Sequence, residues 1–134
     1  MSEIRVTQAD RYSRILGVGG VRGDLVVSND DIAGPIDSSD EWIRQRTGII
    51  NRRRATDEQT VLQMGTEAAN IALENAGLEG SEIDLVIVAS VTHLRLTPSL
   101  AVSVASAVGA DGVPAWDISA ACAGYPYAIG QADA

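Results

Sequence analysis

The stretch Asp117-Ile118-Ser119-Ala120-Ala121-Cys122-Ala123-Gly124-Tyr125-Pro126-Tyr127 decides how the rest of the chain is understood. Asp117 and Ile118 close an apolar strand over residues 113–118. The small residues that follow permit a tight turn, and a helix is expected to begin behind Cys122. A thiol at a helix N-terminus faces unpaired backbone N–H groups and the positive end of the helix dipole, which favours the nucleophilic thiolate. A lone cysteine among alanines and glycines equally suits an inert, buried packing role. The turn by itself leaves both roles open.

Upstream, Ile83-Asp84-Leu85-Val86-Ile87-Val88-Ala89 is a run rich in β-branched residues, suited to a strand covered on both faces of a parallel sheet. Between the two strands, Thr97 is expected as an N-cap and Pro98 as the first residue of a helix ending at Gly109. Residues 56–77 carry the strongest helical pattern. Thr56 and Gln59 have capping-box spacing, and Gly77 supplies a stop. Val61, Gly65, Ala68, Ala69, Ala72 and Ala76 form a small-residue stripe for close packing. The order helix–strand–helix–strand–helix predicts a layered α/β fold with right-handed crossovers.

In the N-terminal third, residues 1–12 are expected to be a flexible extension and residues 13–20 a short strand ending in glycines. The Gly17-x-Gly19-Gly20 pattern lacks the third spaced glycine and the following helix that a nucleotide loop requires. Leu25-Val26-Val27 suggests a short strand or an extended connection, and residues 29–34 a brief helical turn. Ser38 and Glu41 have capping-box spacing for a helix that carries Trp42 and Arg46 on one face and stops at Gly48. An aromatic plane beside a guanidinium can hold an adenine and reach its phosphates. The pair equally fits a tryptophan packed on the core with an arginine in water.

The 134 residues suit one domain. No apolar run reaches the roughly eighteen residues of a membrane helix. The first residues lack the apolar segment of a secretion signal. One cysteine forms no internal disulfide, in keeping with a cytoplasmic setting. The net charge of −8 argues against nucleic-acid binding. All ten basic residues are arginines, and Arg44, Arg46, Arg52, Arg53 and Arg54 make one local cationic zone. Such a zone is either a solvated face or a landing place for phosphates. His93, the one histidine, lies in the loop over residues 91–96. It could act as a base for Cys122 only if that loop folds against the turn.

Taken in order, Ser38-Ser39-Asp40-Glu41-Trp42-Ile43, Arg46-Thr47-Gly48-Ile49, Leu85-Val86-Ile87-Val88-Ala89, Thr97-Pro98-Ser99 and the cysteine stretch resemble the N-terminal part of β-ketoacyl-acyl-carrier-protein synthase III, of the thiolase superfamily. The resemblance runs from Arg14 to the last residue. It implies an α/β, thiolase-like layered fold, with residues 13–134 an incomplete N-terminal domain truncated before the second half. It implies a condensing enzyme of fatty-acid synthesis initiation, with Cys122 as the acyl-accepting nucleophile. An acyl-CoA primer would acylate Cys122, and malonyl-acyl carrier protein would then lose carbon dioxide and attack the thioester. Trp42 matches the residue on which the family stacks the CoA adenine, and Arg46 its companion. Thr97 stands where some members have a phenylalanine that closes the acyl pocket, so a roomier channel is expected.

The resemblance also implies no metal, no cofactor beyond the coenzyme A thioester as substrate, and a homodimer when full length. Pro126 departs from a position where relatives often have a small polar residue. The family's catalytic histidine and asparagine come from its second half, and His93 does not match that histidine. The chain alone is therefore expected to be inactive. The alternatives are a starter acyltransferase of polyketide synthesis and a non-catalytic fragment or interaction module.

Overall fold

The computed structural model describes residues 13–134; the extension expected over residues 1–12 lies outside the described residues. Leu25–Ser28 form β1, followed by the single-turn helix α1 at Asp30–Ala33 and by α2 at Asp40–Thr47. Asn51–Arg54 form β2, which returns antiparallel along β1 with Val27 opposite Arg52. The long helix α3, Val61–Ala76, leads to β3 at Val86–Ala89. Then come α4, Leu100–Val108, β4, Ala115–Ile118, and α5, Gly124–Asp133.

Strands β3 and β4 are parallel, with Val86 opposite Ala115 and Ala89 opposite Ile118. The β3–α4–β4 unit is thus the parallel crossover that the order of elements predicts. Helix α4 packs on both strands and on α3, and α5 packs on the same two strands. The core centres on α4, whose Leu100, Ala101, Val104 and Ala105 are all buried. Residues of β3 are half-buried, with Ala89 exposed, so the strand is less covered than its apolar run led one to expect.

Helix ends follow local chemistry at the C-terminal side. Gly48, Gly77 and Gly109 each take the left-handed conformation just past α2, α3 and α4, where a side chain would be strained. The N-terminal ends correct the sequence expectation three times. Helix α2 is capped by Ser39, whose hydroxyl accepts the Trp42 N–H, and not by Ser38. The capping box of α3 is Thr60 with Gln63, not Thr56 with Gln59. Gln59 is used otherwise: its side-chain oxygen accepts the N–H groups of Thr56 and Asp24, tying the loop to the foot of β1. Helix α4 is capped by Ser99, so Thr97 and Pro98 lie ahead of it. The reason is tertiary, because a carboxylate from β4 already takes the N–H groups of Leu100 and Ala101.

Residues 13–20 form no strand, a further correction. They run extended against α3, where a Cβ at Gly17 would overlap the carbonyl of Ala72, and one at Gly19 that of Ala68. The glycines therefore serve close approach of two backbones and not a strand end. Asn75 of α3 holds the segment through the Val18 carbonyl at 2.9 Å. A cavity of about 380 Å³ is lined by Leu16 and Gly17 of this segment together with Ile83 and Val86. The small-residue stripe of α3 is used as expected, with Ala68 and Ala72 against this segment and Gly65 against Val104 of α4.

Candidate functional site

β4 delivers its last residue, Ile118, beside Ala89, and the Ile118 carbonyl accepts the Ser90 N–H at 3.1 Å. The chain then makes a 3-10 turn over Ala121–Ala123 and continues directly into α5. Within this turn the Ala123 N–H bonds the Ala120 carbonyl, and Ala121 adopts φ of +45°, a left-handed conformation that costs a non-glycine residue about 1–2 kcal/mol. Gly124 is buried, and a Cβ there would stand 3.1 Å from that of Ala89. The helix start is thereby pressed onto β3 while Cys122 is exposed. Pro126 is the third residue of α5, within the first turn, where its missing N–H has no intrahelical partner to lose.

Because β3 and β4 are parallel, the loop carrying His93 and Thr97 and the turn carrying Cys122 leave the same end of the sheet. This is the end where open α/β sheets hold their ligands. Asp117, in β4, accepts the N–H of Leu100 at 2.8 Å and of Ala101 at 2.7 Å. This draws the start of α4, with Thr97 just ahead of it, to the strand that leads to Cys122. Thr97 itself is exposed and His93 half-buried. Among the described residues no hydrogen bond joins Cys122 to either.

The second candidate feature sits on α2. Arg46 places its guanidinium carbon 5.5 Å from the centroid of the Trp42 ring. Trp42 is 54% exposed, while the neighbouring Ile43 is the residue that α2 sends into the core. Among the described residues the indole is therefore not packed into the core and has the Arg46 guanidinium over its ring. Beside it opens a recess of 470 Å³ lined by Ile36, Asp37, Ser38, Ser39 and Trp42. The Ser38 hydroxyl is buried with no hydrogen-bond partner. Nothing in the sequence marks this, since Ser38 there has the spacing of a helix cap.

The cationic zone is partly engaged in structure. Arg44 bonds Asp40 of α2, Arg52 bonds Asn29, and Arg53 reaches the Asp24 carbonyl. Hydrogen bonds from Arg44 and then from Asn29 hold the Asp40 carboxyl below the ordinary aspartate range. The Asp117 and Asn29 roles also escaped the sequence, for both are contacts between residues distant along the chain.

No protein-family model matches the chain. Its sequence is 48% identical over 133 residues to the β-ketoacyl-[acyl-carrier-protein] synthase III of Kocuria rhizophila, covering 99% of this chain and 38% of that protein. The synthase III of Tropheryma whipplei is 50% identical over 123 residues, covering 92% and 38%. Among solved structures, the priming β-ketosynthase of the R1128 polyketide biosynthetic pathway superposes with a TM-score of 0.85 at 45% identity, over 98% of this chain and 39% of that one. The 3-oxoacyl-[acyl-carrier-protein] synthase III of Aquifex aeolicus gives 0.80 at 45% identity, over 88% and 38%.

The fold is that of the thiolase-like enzymes. Within that class the chain is a homologue of β-ketoacyl-[acyl-carrier-protein] synthase III and corresponds to its N-terminal part. It spans 38–39% of the length of the curated relatives it matches. Among the described residues no helix is long and apolar enough to cross a membrane.

Proposed function

We propose that this chain carries the nucleophile and the CoA-recognition helix of a condensing enzyme that starts fatty-acid chains. The observation that carries the proposal is the exposed thiol of Cys122 in a strained turn at the ligand-binding end of a parallel strand. The Cys122 thiolate attacks the thioester carbonyl of an acyl-CoA, and the CoA thiolate leaves, so the acyl group moves from one sulfur to another. The backbone N–H of Cys122 is the donor for the transient oxyanion. Malonyl-acyl carrier protein then loses carbon dioxide, and its carbanion attacks the acyl-cysteine to release a β-ketoacyl product. Trp42 stacks the adenine of CoA, Arg46 faces its phosphates, and Thr97 lines a channel for the acyl chain. The CoA thioester is substrate, and the chemistry calls for no further cofactor or metal.

The resemblance assigns the decarboxylating histidine and asparagine to positions beyond these residues, so this chain alone yields no β-ketoacyl product. The complete enzyme is a cytoplasmic homodimer in this proposal. A second reading, a starter-loading acyltransferase of polyketide synthesis, draws support from the likeness to a priming β-ketosynthase. Both readings share the first half-reaction. Incubation with acetyl-CoA followed by intact-mass measurement should give an acetyl adduct that Cys122→Ala abolishes. An adduct that survives Cys122→Ala, or none under conditions that label a full-length relative, would sink the assignment for this chain.

A further inference from the structure

Asn29 stands at the N-cap of α1, where an asparagine ordinarily accepts a local backbone N–H, yet its side chain makes no such bond. The side chain is instead turned inward, and Asn29 is only 1% exposed. Its amide nitrogen donates to the Asp40 carboxylate at 2.8 Å and to the Ile49 carbonyl at 2.7 Å. Its oxygen accepts from the Arg52 guanidinium at 2.7 Å. Asp40 is the first residue of α2, and Ile49 lies just past its C-terminal Gly48. One amide thus grips both ends of α2 and fastens them to β2.

The grip matters because α2 has little else to hold it. Ile43 is its one buried side chain, and every other residue of the helix is half-buried or exposed. With a single apolar anchor among these residues, the orientation of α2 depends on its polar contacts, and a turn about that anchor would carry Trp42 and Arg46 away from a shared ligand. Both amide hydrogens of Asn29 are used, so its orientation is fixed by three partners from three segments.

We propose that Asn29 is a positioning residue for CoA recognition, holding α2 so that Trp42 and Arg46 present one adenine-binding face. The inference rests on the CoA role assigned to that pair under the proposed function. Titration calorimetry of the full chain with CoA and with pantetheine, which lacks the adenine nucleotide, separates the two. The wild type should prefer CoA, and Trp42→Ala should lose about tenfold of that preference, the worth of one stacked base. Asn29→Ala should lose a similar factor, with pantetheine binding and the rate of Cys122 alkylation by iodoacetamide unchanged.

Should Asn29→Ala fail to fold, Asn29→Asp serves, since it keeps the shape and the acceptor for Arg52 and removes both donated bonds. It should show the same selective loss. A variant that keeps the CoA preference, or that loses CoA and pantetheine binding equally, overturns the positioning role. A wild type without preference for CoA, or unaffected by Trp42→Ala, overturns the CoA reading beneath it.

Discussion

Asp117 caps a helix it is not part of: its carboxylate accepts the Leu100 N–H at 2.8 Å, and the Ala101 N–H at 2.7 Å, from within β4. The bonds fix where α4 starts, and they tie that start to the strand that presents Cys122.

Charge-assisted bonds of this kind are stronger than neutral ones, and loss of a helix N-cap commonly costs about 0.5–2 kcal/mol. Asp117→Ala should therefore lower unfolding stability by about 1–3 kcal/mol in urea titration, within the range for bonds to charged groups. Asp117→Asn, which keeps one acceptor oxygen, should lose less. Equal stability of all three proteins would remove Asp117 from this role.

Ala121 holds φ of +45° one residue before the cysteine. Substitution by glycine relieves the strain but adds freedom to the unfolded chain, so Ala121→Gly should gain at most about 1 kcal/mol. A β-branched residue cannot adopt the conformation cheaply, and Ala121→Val should lose about 1–2 kcal/mol. Thermal unfolding decides it, and a Val variant as stable as the wild type would mean the turn does not need this conformation.

Close approach of backbones at Gly19 makes a distinct claim. Its Cβ would overlap the Ala68 carbonyl, whereas the neighbouring Gly20 has open space around it. Gly19→Ala should cost about 1–3 kcal/mol as an overpacking change, and Gly20→Ala should stay within about 1 kcal/mol of the wild type. Similar losses for both would show that the segment is not pressed on α3.

Acid should weaken the polar ties of Asp31 and Asp40 in the first third of the chain. The Asp31 carboxyl is held below the ordinary aspartate value of 3.8 by the hydroxyl and then the N–H of Ser28, and Asp40 by Arg44 and then Asn29. A pKa depressed by folding contributes stability that is full above the unfolded value and lost as pH falls through the folded one. Stability should thus decline as pH drops below 3.8, and Asp40→Asn should flatten part of that decline. An unchanged acid profile in Asp40→Asn would contradict the pairing.

Much of the architecture was legible because it depends on neighbours along the chain. The stops at Gly48, Gly77 and Gly109 follow from one residue's freedom to take positive φ, and the facing of Trp42 and Arg46 follows from helical spacing. The strand–turn–helix around Cys122 follows from an apolar run, small residues and a helical continuation. Helix starts were harder. Thr56 and Thr60 both carry the capping pattern, and only the Gln59 bond to Asp24 shows why the later one begins α3.

The sequence by itself determined the order of elements from α3 to α5, the helix stops at Gly48, Gly77 and Gly109 and the position of the one thiol, since propensity, periodicity and turn chemistry act over a few residues. It did not mark β2 at Asn51–Arg54. Only the tertiary structure decided that residues 13–20 lie on α3 and not in a sheet, that Asp117 sets the start of α4, and that Asn29 holds α2. Those are bonds and contacts between groups 11 to 57 positions apart. Their geometry exists only once the chain has closed the loops between them, and no local pattern records it.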